Sequence, residues 1–353
     1  MKIASVASAF PKQYYSQDVL IEALKARWGQ RLKNPQLLDR LRARAWVEGR
    51  HLALPIDAYD HIRDWGEANS LWIEHGLELG QQALAGALAR AGASPADLSA
   101  LFVVSITGIA NPSLGARLIN RMGLSPNLKR VPIFGLGCVA GAAGLARAAD
   151  YVKAYPGEIA AVLSVELCSL TIQLKDVSVA NAISAVLFGD GAAAALVAGA
   201  ERNADGSAEG PKVLATRSVF YPNSEYVMGW DICGEGFKIV LSPDVPLMVE
   251  RHLAADVDSF LHDQGLDRSC VGTWILHTGG PKVLEATTAA LGLPASALDA
   301  SWDCLRRVGN LSSASVLVVL EEVMEHRRPP PGTLSVLAAM GPGFCSELVL
   351  LRW

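Results

Sequence analysis

Short apolar runs alternate with helix-like segments along most of the chain, and this alternation constrains the fold more than any other feature. In the first half the sequence predicts helices at 72–91, 117–122 and 140–155 and buried strands at 101–106, 131–134 and 159–165. Strands that are apolar throughout, and separated by helices, are typical of a sheet covered on both faces. We therefore expect an α/β protein.

The same rhythm returns in the second half of the chain. Helices are predicted at 246–264, 281–291 and 313–326, and strands at 274–276, 335–340 and 347–351. A polar, Gly-containing segment at 201–207 separates the two series. A length of 353 residues exceeds that of one ordinary domain. We expect either two domains or one body with a duplicated core, divided into 1–205 and 206–353.

Composition and charge exclude two classes of function. Hydrophobic residues make up 51% of the chain and charged residues 19%, which argues against disorder. The longest uncharged run, 98–116, contains polar residues and Pro112, so it predicts a strand and a loop and no membrane span. Lys and Arg number 31 against 35 Asp and Glu, a net charge of -4, so we expect no nucleic-acid partner.

The cysteines and the N-terminus bear on location and on metals. The first residues weakly resemble a signal peptide, but a first strand ended by Pro11 fits the short, Ser-interrupted run better. The closest two of the six cysteines, Cys138 and Cys168, are 30 residues apart, which does not match a zinc or redox motif. We expect reduced thiols, a cytoplasmic protein and no metal.

One cysteine stands in a setting suited to chemistry. Cys138 lies in the segment 135–144, GLGCVAGAAG, which follows a predicted strand and opens an Ala-rich helix. A thiol at a helix N-terminus has a lowered pKa and favours the nucleophilic thiolate. The alternative is a buried cysteine in a Gly-rich packing turn. The glycines do not fit a dinucleotide-binding fingerprint.

Two further polar residues stand at turns next to apolar elements. His277 ends the predicted strand 274–276, and Asn310 precedes a predicted helix within GNLSSA, 309–314. Taken singly, such a histidine is usually structural, and such an asparagine usually caps a helix. Three turns that each present a reactive or hydrogen-bonding side chain make a shared catalytic site the better hypothesis.

Five segments together resemble the signature regions of type III polyketide synthases, the chalcone-synthase-like ketosynthases. They are 134–144, 187–193 (LFGDGAA), 277–282 (HTGGPK), 309–314 and 341–343 (GPG), in the family's order across nearly the whole chain. The resemblance implies a thiolase fold: two pseudo-symmetric α/β halves stacked as αβαβα layers. It also implies a homodimer, with a catalytic cavity in each subunit that a CoA tunnel reaches.

The resemblance assigns roles position by position. Cys138 matches the nucleophile, and His277 and Asn310 match the side chains that assist malonyl decarboxylation. Phe188 matches an aromatic residue beside the active site, although a core aromatic is the alternative. The remaining matches are the gatekeeper positions Ile239 and Met340, the cavity-lining positions Cys168, Thr171 and Asn111, and the CoA-binding positions Arg40, Arg44, Lys282 and Ser312. For the two arginines and Lys282 a solvated basic surface is the alternative.

The predicted reaction is a decarboxylative Claisen condensation of an acyl-CoA starter with malonyl-CoA, with no cofactor besides the CoA thioesters. The segment 164–171, SVELCSLT, is similar to bacterial members that accept fatty acyl starters. We therefore expect a medium- or long-chain starter and an alkylpyrone or alkylresorcinol product. The alternatives are a ketosynthase III-type initiation enzyme, a catalytically silent acyl-binding subunit and a thioester hydrolase. The segment HTGGPK, in place of the His-Gln-Ala-Asn usual in ketosynthase III, favours the polyketide group.

Overall fold

The computed structural model describes residues 1–34, 36–202 and 210–353. The boundary predicted between 205 and 206 lies outside the described residues. The strands are β1 (Lys2–Ala9), β2 (Gln13–Ser16), β3 (Gly49–Leu52), β4 (Leu98–Val104), β5 (Lys129–Ile133), β6 (Ile159–Leu167), β7 (Asp190–Ala198), β8 (Lys212–Phe220), β9 (Met228–Cys233), β10 (Gly236–Leu241), β11 (Val271–Leu276), β12 (Leu334–Gly341) and β13 (Cys345–Arg352). The helices are α1 (Gln17–Trp28), α2 (Leu37–Arg44), α3 (Trp65–Arg90), α4 (Leu114–Met122), α5 (Ala140–Ala154), α6 (Val179–Leu187), α7 (Val245–His262), α8 (Pro281–Leu291), α9 (Asp299–Val308) and α10 (Ser315–His326).

The two halves repeat one strand pattern. In the first half the order is β1-β7-β6-β4, paired antiparallel, antiparallel and parallel. In the second half β8-β13-β12-β11 pair in the same three ways. Pairing between Lys2 and Lys212 joins β1 to β8, so the halves form one nine-stranded sheet that ends at β5 and β11. The duplicated core expected from the sequence is therefore a pseudo-symmetric pair of half-sheets.

Helices cover both faces of each half-sheet. The helix α3 packs on β1, β7 and β6, and on the opposite side α5 and α10 pack against strands of both halves. The outer face of the second half is covered by apolar residues of α7 and α8, which share one core cluster with β11, β12 and β13. The order is therefore α3, first half-sheet, α5 with α10, second half-sheet, α7 with α8, which is the predicted αβαβα arrangement.

Small residues let the central helices approach their neighbours closely. The Ala-rich α5 is buried along most of its length, and a Cβ on Gly144 would lie 2.7 Å from Val162 on β6. Glycines on α3 act similarly, since a Cβ on Gly80 would lie 3.3 Å from Leu163 and Val165. Close packing of each helix on its sheet fixes the position of the helix N-terminus in space, and the candidate site lies at these N-termini.

Two regions outside the predicted alternation form elements of their own. The charged segment 16–51 holds the two helices α1 and α2 together with β3, which pairs with β2. The hairpin of β9 and β10 forms a separate two-stranded sheet that the periodicity did not predict. In the described part of the chain, no helix is both long and apolar enough to cross a bilayer.

Candidate active site

Cys138 sits where the edge strand β5 turns into α5. The turn uses Gly135 and Gly137 with φ of 93° and 55°, a left-handed region that glycine adopts without steric cost. A short 3₁₀ turn, Gly137–Val139, carries the cysteine into the helix. Cys138 is 5% exposed, and its Sγ lies 3.6 Å from the Oγ of Ser312.

Burial dominates the electrostatics of this thiol. Removal from water raises the pKa of Cys138 to about 12, the hydrogen bond with Ser312 lowers it, and the nearby Glu166 carboxyl raises it. The buried thiol is therefore protonated at neutral pH. Formation of the nucleophile requires a base or a substrate that stabilises the thiolate.

His277 follows β11 directly and is held by its backbone, whose N–H donates to the Ala338 carbonyl at 3.0 Å. The side chain is 7% exposed, and its buried Nδ1 has no hydrogen-bond partner among the described residues. Burial lowers the pKa of His277 to about 4. The ring is therefore neutral, and because burial disfavours its charged form, it can hold a proton only where a partner anion such as a thiolate stabilises the imidazolium.

Asn310 is fixed by hydrogen bonds on both its backbone and its side chain. Its N–H donates to Leu187 O at 2.9 Å, and Gly189 N–H donates to its carbonyl at 2.9 Å, which sets it beside Phe188. Its Oδ1 accepts from Ser312 N–H at 2.8 Å. With Oδ1 turned toward Ser312 as an acceptor, the side-chain NH₂ group is the donor that Asn310 can offer to a ligand.

These three residues line one cavity. Cys138, His277 and Asn310 surround a space of about 40 Å³, which is room for only a few atoms. The rest of the wall is mostly apolar and includes Met228, Val245, Val283, Met340 and Phe344. A nucleophile, a base or donor and an amide donor thus converge in a mostly apolar pocket, the arrangement needed for acyl transfer through an oxyanion or enolate.

A buried carboxyl beside the cavity escaped the sequence reasoning. Glu166 is fully buried; its Oε2 accepts from Thr107 Oγ1 at 2.8 Å and Ile106 N–H at 3.1 Å, and its Oε1 accepts from Ser313 Oγ. Burial raises its pKa to about 7, against the lowering by these donors. The available signal was that Glu166 is the one charged residue in β6, whose other residues are apolar or small.

A larger cavity of about 400 Å³ lies behind the segment Cys168–Thr171. Thr171 lines it together with apolar side chains such as Leu24 and Ile172 and the buried Arg50. The Nη1 of Arg50 donates to Phe188 O at 2.5 Å, and burial lowers the arginine pKa to about 10. No residue that lines this cavity also lines the one at Cys138.

A second buried carboxyl supports the same segment. Asp190 accepts hydrogen bonds from Ser169 N–H at 2.8 Å and Ala53 N–H at 2.6 Å, and also from Ser169 Oγ. Burial raises the pKa of Asp190 to about 6, although the Arg50 charge lowers it. Phe188, two residues before Asp190, is held through its backbone, which contacts Arg50 on one side and Asn310 on the other.

The remaining predicted pocket residues separate into different places. Met340 lines the cavity at Cys138. Ile239 is half-buried on β10 and lines neither of the two cavities. Phe237, two residues earlier, is buried and lines the larger cavity. Because residues two apart in a strand lie on the same side, the cavity is reached two residues before the predicted gatekeeper position. Cys168 is buried and Asn111 is exposed, and neither lines these cavities.

The predicted CoA-binding residues also differ among themselves. Arg40 and Arg44 are exposed on α2, and Lys282 is exposed at the start of α8. Ser312 is 3% exposed and contacts Cys138 and Asn310. The serine is therefore part of the cluster around Cys138 and is buried too deeply to contact CoA phosphates at the surface.

Comparison with known proteins identifies the family. The family of chalcone and stilbene synthases matches through its N-terminal domain at residues 6–201 and its C-terminal domain at 212–353. A 1,3,6,8-tetrahydroxynaphthalene synthase of Streptomyces peucetius subsp. caesius is 51% identical over 99% of this chain and 93% of that protein. A putative chalcone synthase of Bacillus subtilis is 37% identical over 99% of this chain and 98% of that protein.

Solved structures agree. The 1,3,6,8-tetrahydroxynaphthalene synthase of Streptomyces coelicolor, a bacterial type III polyketide synthase, superposes with a TM-score of 0.93 at 29% identity, covering 100% of this chain and 99% of that one. The predicted thiolase fold is thereby confirmed. With both family domains matched along the chain, the protein belongs to the chalcone and stilbene synthase family and is a type III polyketide synthase, an acyltransferase that condenses acyl-CoA substrates.

Proposed function

We propose that Cys138, His277 and Asn310 carry a decarboxylative Claisen condensation with malonyl-CoA as the extender. The observation that carries this proposal is their convergence on one small, mostly apolar cavity. The Cys138 thiolate attacks the acyl-CoA carbonyl carbon and releases the CoA thiolate, leaving an acyl-cysteine. His277, whose buried Nδ1 lacks a partner among the described residues, accepts the thiol proton and stabilises the thiolate as an ion pair.

The extender reaction uses the donors opposite the cysteine. The malonyl thioester oxygen receives hydrogen bonds from the Asn310 NH₂ and the His277 ring as the carboxylate leaves as carbon dioxide. The pair of electrons left on carbon forms the enolate, which attacks the acyl-cysteine carbonyl and releases the Cys138 thiolate. Donors fixed in advance in a water-poor site stabilise such developing charge strongly.

The small catalytic cavity favours a small starter. With about 40 Å³ beside Cys138, the cavity fits a short acyl group better than an alkyl chain. The 51% identical relative is named for tetrahydroxynaphthalene, whose ten-carbon skeleton can be built from two-carbon units alone. We therefore propose malonyl-CoA as the source of every unit, with a polyhydroxynaphthalene as the product.

The larger cavity supports a second candidate, the fatty acyl starter expected from the sequence. Its volume of about 400 Å³ has room for an alkyl chain, and apolar side chains such as Leu20, Leu24 and Ile172 form part of a wall that also carries charged residues. One relative with a printed connection to pyrones, an alpha-pyrone synthesis polyketide synthase-like protein of Mycobacterium tuberculosis, is 30% identical over 99% of this chain and 90% of that protein. An alkylpyrone or alkylresorcinol product would follow from two or three malonyl extensions.

A starter series separates the two candidates. Purified protein is incubated with malonyl-CoA alone and then with malonyl-CoA plus acetyl-, octanoyl- or palmitoyl-CoA, and the products are identified by mass spectrometry. A product from malonyl-CoA alone, unchanged by Ala23→Phe in the larger cavity, supports the first candidate. Alkyl products that become shorter in Ala23→Phe support the second. Cys138→Ala serves as the inactive control.

We further propose that the exposed basic residues receive CoA and that the protein is a homodimer. Arg40, Arg44 and Lys282 reach solvent, where guanidinium and ammonium groups bind phosphates. The edge strand β5 is largely exposed, with Val131 39% exposed, and Phe134, the residue that follows the strand, is 48% exposed. An exposed sheet edge with apolar side chains among its residues is a surface that native proteins often pair or cover, and light scattering of the purified protein measures the oligomeric state.

The chemistry above is complete without a metal or redox cofactor, and we propose that none takes part. A cytoplasmic location also remains a proposal, consistent with six free cysteines. Activity that survives extensive chelation would support the first proposal, and activity restored only by added metal would refute it.

A further inference from the structure

The arginine on β3 is buried beside the catalytic residues although it does not line their cavity. Arg50 is 1% exposed, and among the described residues its guanidinium bonds only to neutral acceptors. Nη1 donates to Phe188 O at 2.5 Å, and Nε donates to Gln17 Oε1 at 3.3 Å. The Asp190 carboxylate stabilises the charge through space. Burial of a charge that no carboxylate contacts directly costs free energy, so Arg50 is a poor candidate for a residue that only stabilises the fold.

The aliphatic part of Arg50 packs against two glycines next to the catalytic residues. A Cβ on Gly309 would lie 3.0 Å from Arg50 Cδ, and a Cβ on Gly189 would lie 3.5 Å from Arg50 Cβ. Gly309 precedes Asn310, and Gly189 follows Phe188. The arginine therefore packs closely against both of the chain segments that meet at Asn310.

One peptide group connects the guanidinium to Asn310. The carbonyl of Phe188 and the N–H of Gly189 belong to the same peptide group. Its oxygen accepts from Arg50 Nη1, and its N–H donates to Asn310 O at 2.9 Å. The preceding carbonyl, Leu187 O, accepts from Asn310 N–H, also at 2.9 Å. Arg50 thus fixes the segment that holds both backbone groups of Asn310.

Gln17 extends this network to α1. It is 4% exposed, and while its Oε1 accepts from Arg50, its Nε2 donates to Val186 O at 2.8 Å. Gln17 and Arg50 therefore hold two carbonyls at the end of α6, those of Val186 and Phe188. A continuous series of hydrogen bonds leads from α1 to Asn310, and each group in such a buried network orients the next.

We propose that Arg50 is a positioning residue for malonyl decarboxylation, which fixes the peptide group after Phe188 and so holds the Asn310 NH₂ against the enolate oxygen. This inference rests on the role of Asn310 in the proposed function and adds the residue that sets the position of the asparagine. Misplacement by about 1 Å can cost roughly a hundredfold in rate. No hydrogen bond of Arg50 reaches Cys138 or His277 in the described chain, so the thiol should react independently of it.

The first test compares Arg50→Met and Arg50→Lys in the full-length protein. Arg50→Met should slow carbon dioxide release from malonyl-CoA about ten- to a hundredfold, while alkylation of Cys138 by iodoacetamide should stay near the parental rate. Arg50→Lys keeps the charge but replaces the planar guanidinium by a single ammonium, so it should restore part of the rate. Arg268→Met is the matched control, because it also removes a guanidinium that donates to a backbone carbonyl, Leu291 O at 2.7 Å, and it should change neither measurement.

Gln17→Leu and chemical rescue give further readouts. Gln17→Leu leaves the guanidinium in place but removes the acceptor for its Nε, so it should cause a smaller loss of the same kind, and it tests the network even if Arg50→Met does not fold. Arg50→Ala leaves a space that joins the larger cavity, because Arg50 forms part of that wall. Guanidinium at a low, non-denaturing concentration should restore decarboxylation in this variant, whereas tetramethylammonium, which has no N–H donor, should not. A purely structural role for Arg50 would give no such rescue.

A double variant separates this inference from the proposed function. Because Arg50 acts through Asn310, Arg50→Met should add little loss of decarboxylation in an Asn310→Asp background. Independent, multiplicative losses would overturn the role of Arg50 alone, as would parental decarboxylation in Arg50→Met or an equal loss of decarboxylation and Cys138 alkylation. Parental decarboxylation in Asn310→Asp would instead refute the proposed function, and the role of Arg50 with it.

Discussion

The Sγ of Cys138 and the Oγ of Ser312 lie 3.6 Å apart, although 174 residues separate them in the chain. One is at the start of α5 in the first half, and the other precedes α10 in the second. Their contact joins the two pseudo-symmetric halves at the reactive atom. Burial raises the thiol pKa, and the hydrogen bond with Ser312 is the largest effect that lowers it.

Removal of the Ser312 hydroxyl should make Cys138 less reactive. Ser312→Ala removes a hydrogen bond that lowers the thiol pKa, so alkylation of Cys138 by iodoacetamide at pH 8 should slow several-fold. Ser312→Gly removes the same hydroxyl and also relieves the φ of 49°, so it should slow alkylation equally while being the more stable variant. Peptide mass spectrometry assigns the alkylated residue, and parental rates in both variants would contradict the prediction.

Asn310→Asp should strongly slow malonyl decarboxylation without disturbing the fold. The new carboxylate can still accept from Ser312 N–H, as Asn310 Oδ1 does, but it replaces the NH₂ donor with a negative charge facing the enolate. Loss of one such donor costs about 10²- to 10³-fold in rate. Carbon dioxide release from malonyl-CoA measures the effect, while acylation of Cys138 by a starter should be largely retained. Decarboxylation at the parental rate would remove Asn310 from the mechanism.

His277→Ala provides the complementary test. The substitution removes both the second donor to the enolate and the base for Cys138, so it should slow starter acylation as well as decarboxylation. His277→Ala should therefore slow both acylation and decarboxylation, whereas Asn310→Asp should slow decarboxylation alone. Equal acylation rates in the His277 variant and the parent would show that another group takes the thiol proton.

Much of the architecture could be predicted from local pattern. Apolar strands such as 159–165 and the Ala-rich helix after Cys138 are buried in the structure as expected, because an uncharged strand has no solvent-facing side. The hairpin of β9 and β10 could not be read in this way. Trp230 there is positioned by a hydrogen bond to Ile106 O at 3.0 Å, a long-range contact that leaves no periodic signal.

The candidate site was predictable only in part, for a physical reason. Cys138, His277 and Asn310 stand at turns next to glycines, which mark them in the sequence, and the resemblance to a family ordered them. Glu166 gave only the weak signal of a charge inside an apolar strand. Its neighbours Thr107 and Ser313 come from distant turns, so its hydrogen-bond donors were invisible before the fold was known.

Gly141→Ala should damage both stability and catalysis. In an exposed helix, alanine is favoured over glycine by about 1 kcal/mol. Here a Cβ would overlap the carbonyl oxygen of Ser313 and lie 2.8 Å from Val316 Cγ1, so overpacking should lower the free energy of unfolding by about 1–3 kcal/mol. The displaced helix should also slow Cys138 acylation. Gly229→Ala, where a Cβ meets open space, is the control, and a stabilised Gly141 variant would contradict the packing.

Glu166→Gln should change how stability depends on pH. Burial raises the folded-state pKa of Glu166 from 4.5 to about 7, so between these values the folded protein binds more protons than the unfolded chain. The contribution of Glu166 to the free energy of unfolding is therefore full below pH 4.5 and is lost as the pH rises through 7. The difference between parent and Glu166→Gln should fall over that range by on the order of 3 kcal/mol. Urea unfolding at several pH values measures it. The folded-state pKa of His277 is lowered, so its contribution changes in the opposite direction, but it is common to both proteins and cancels in the difference. A difference that stays constant from pH 4.5 to 8 would show that Glu166 is ionised in the folded protein throughout.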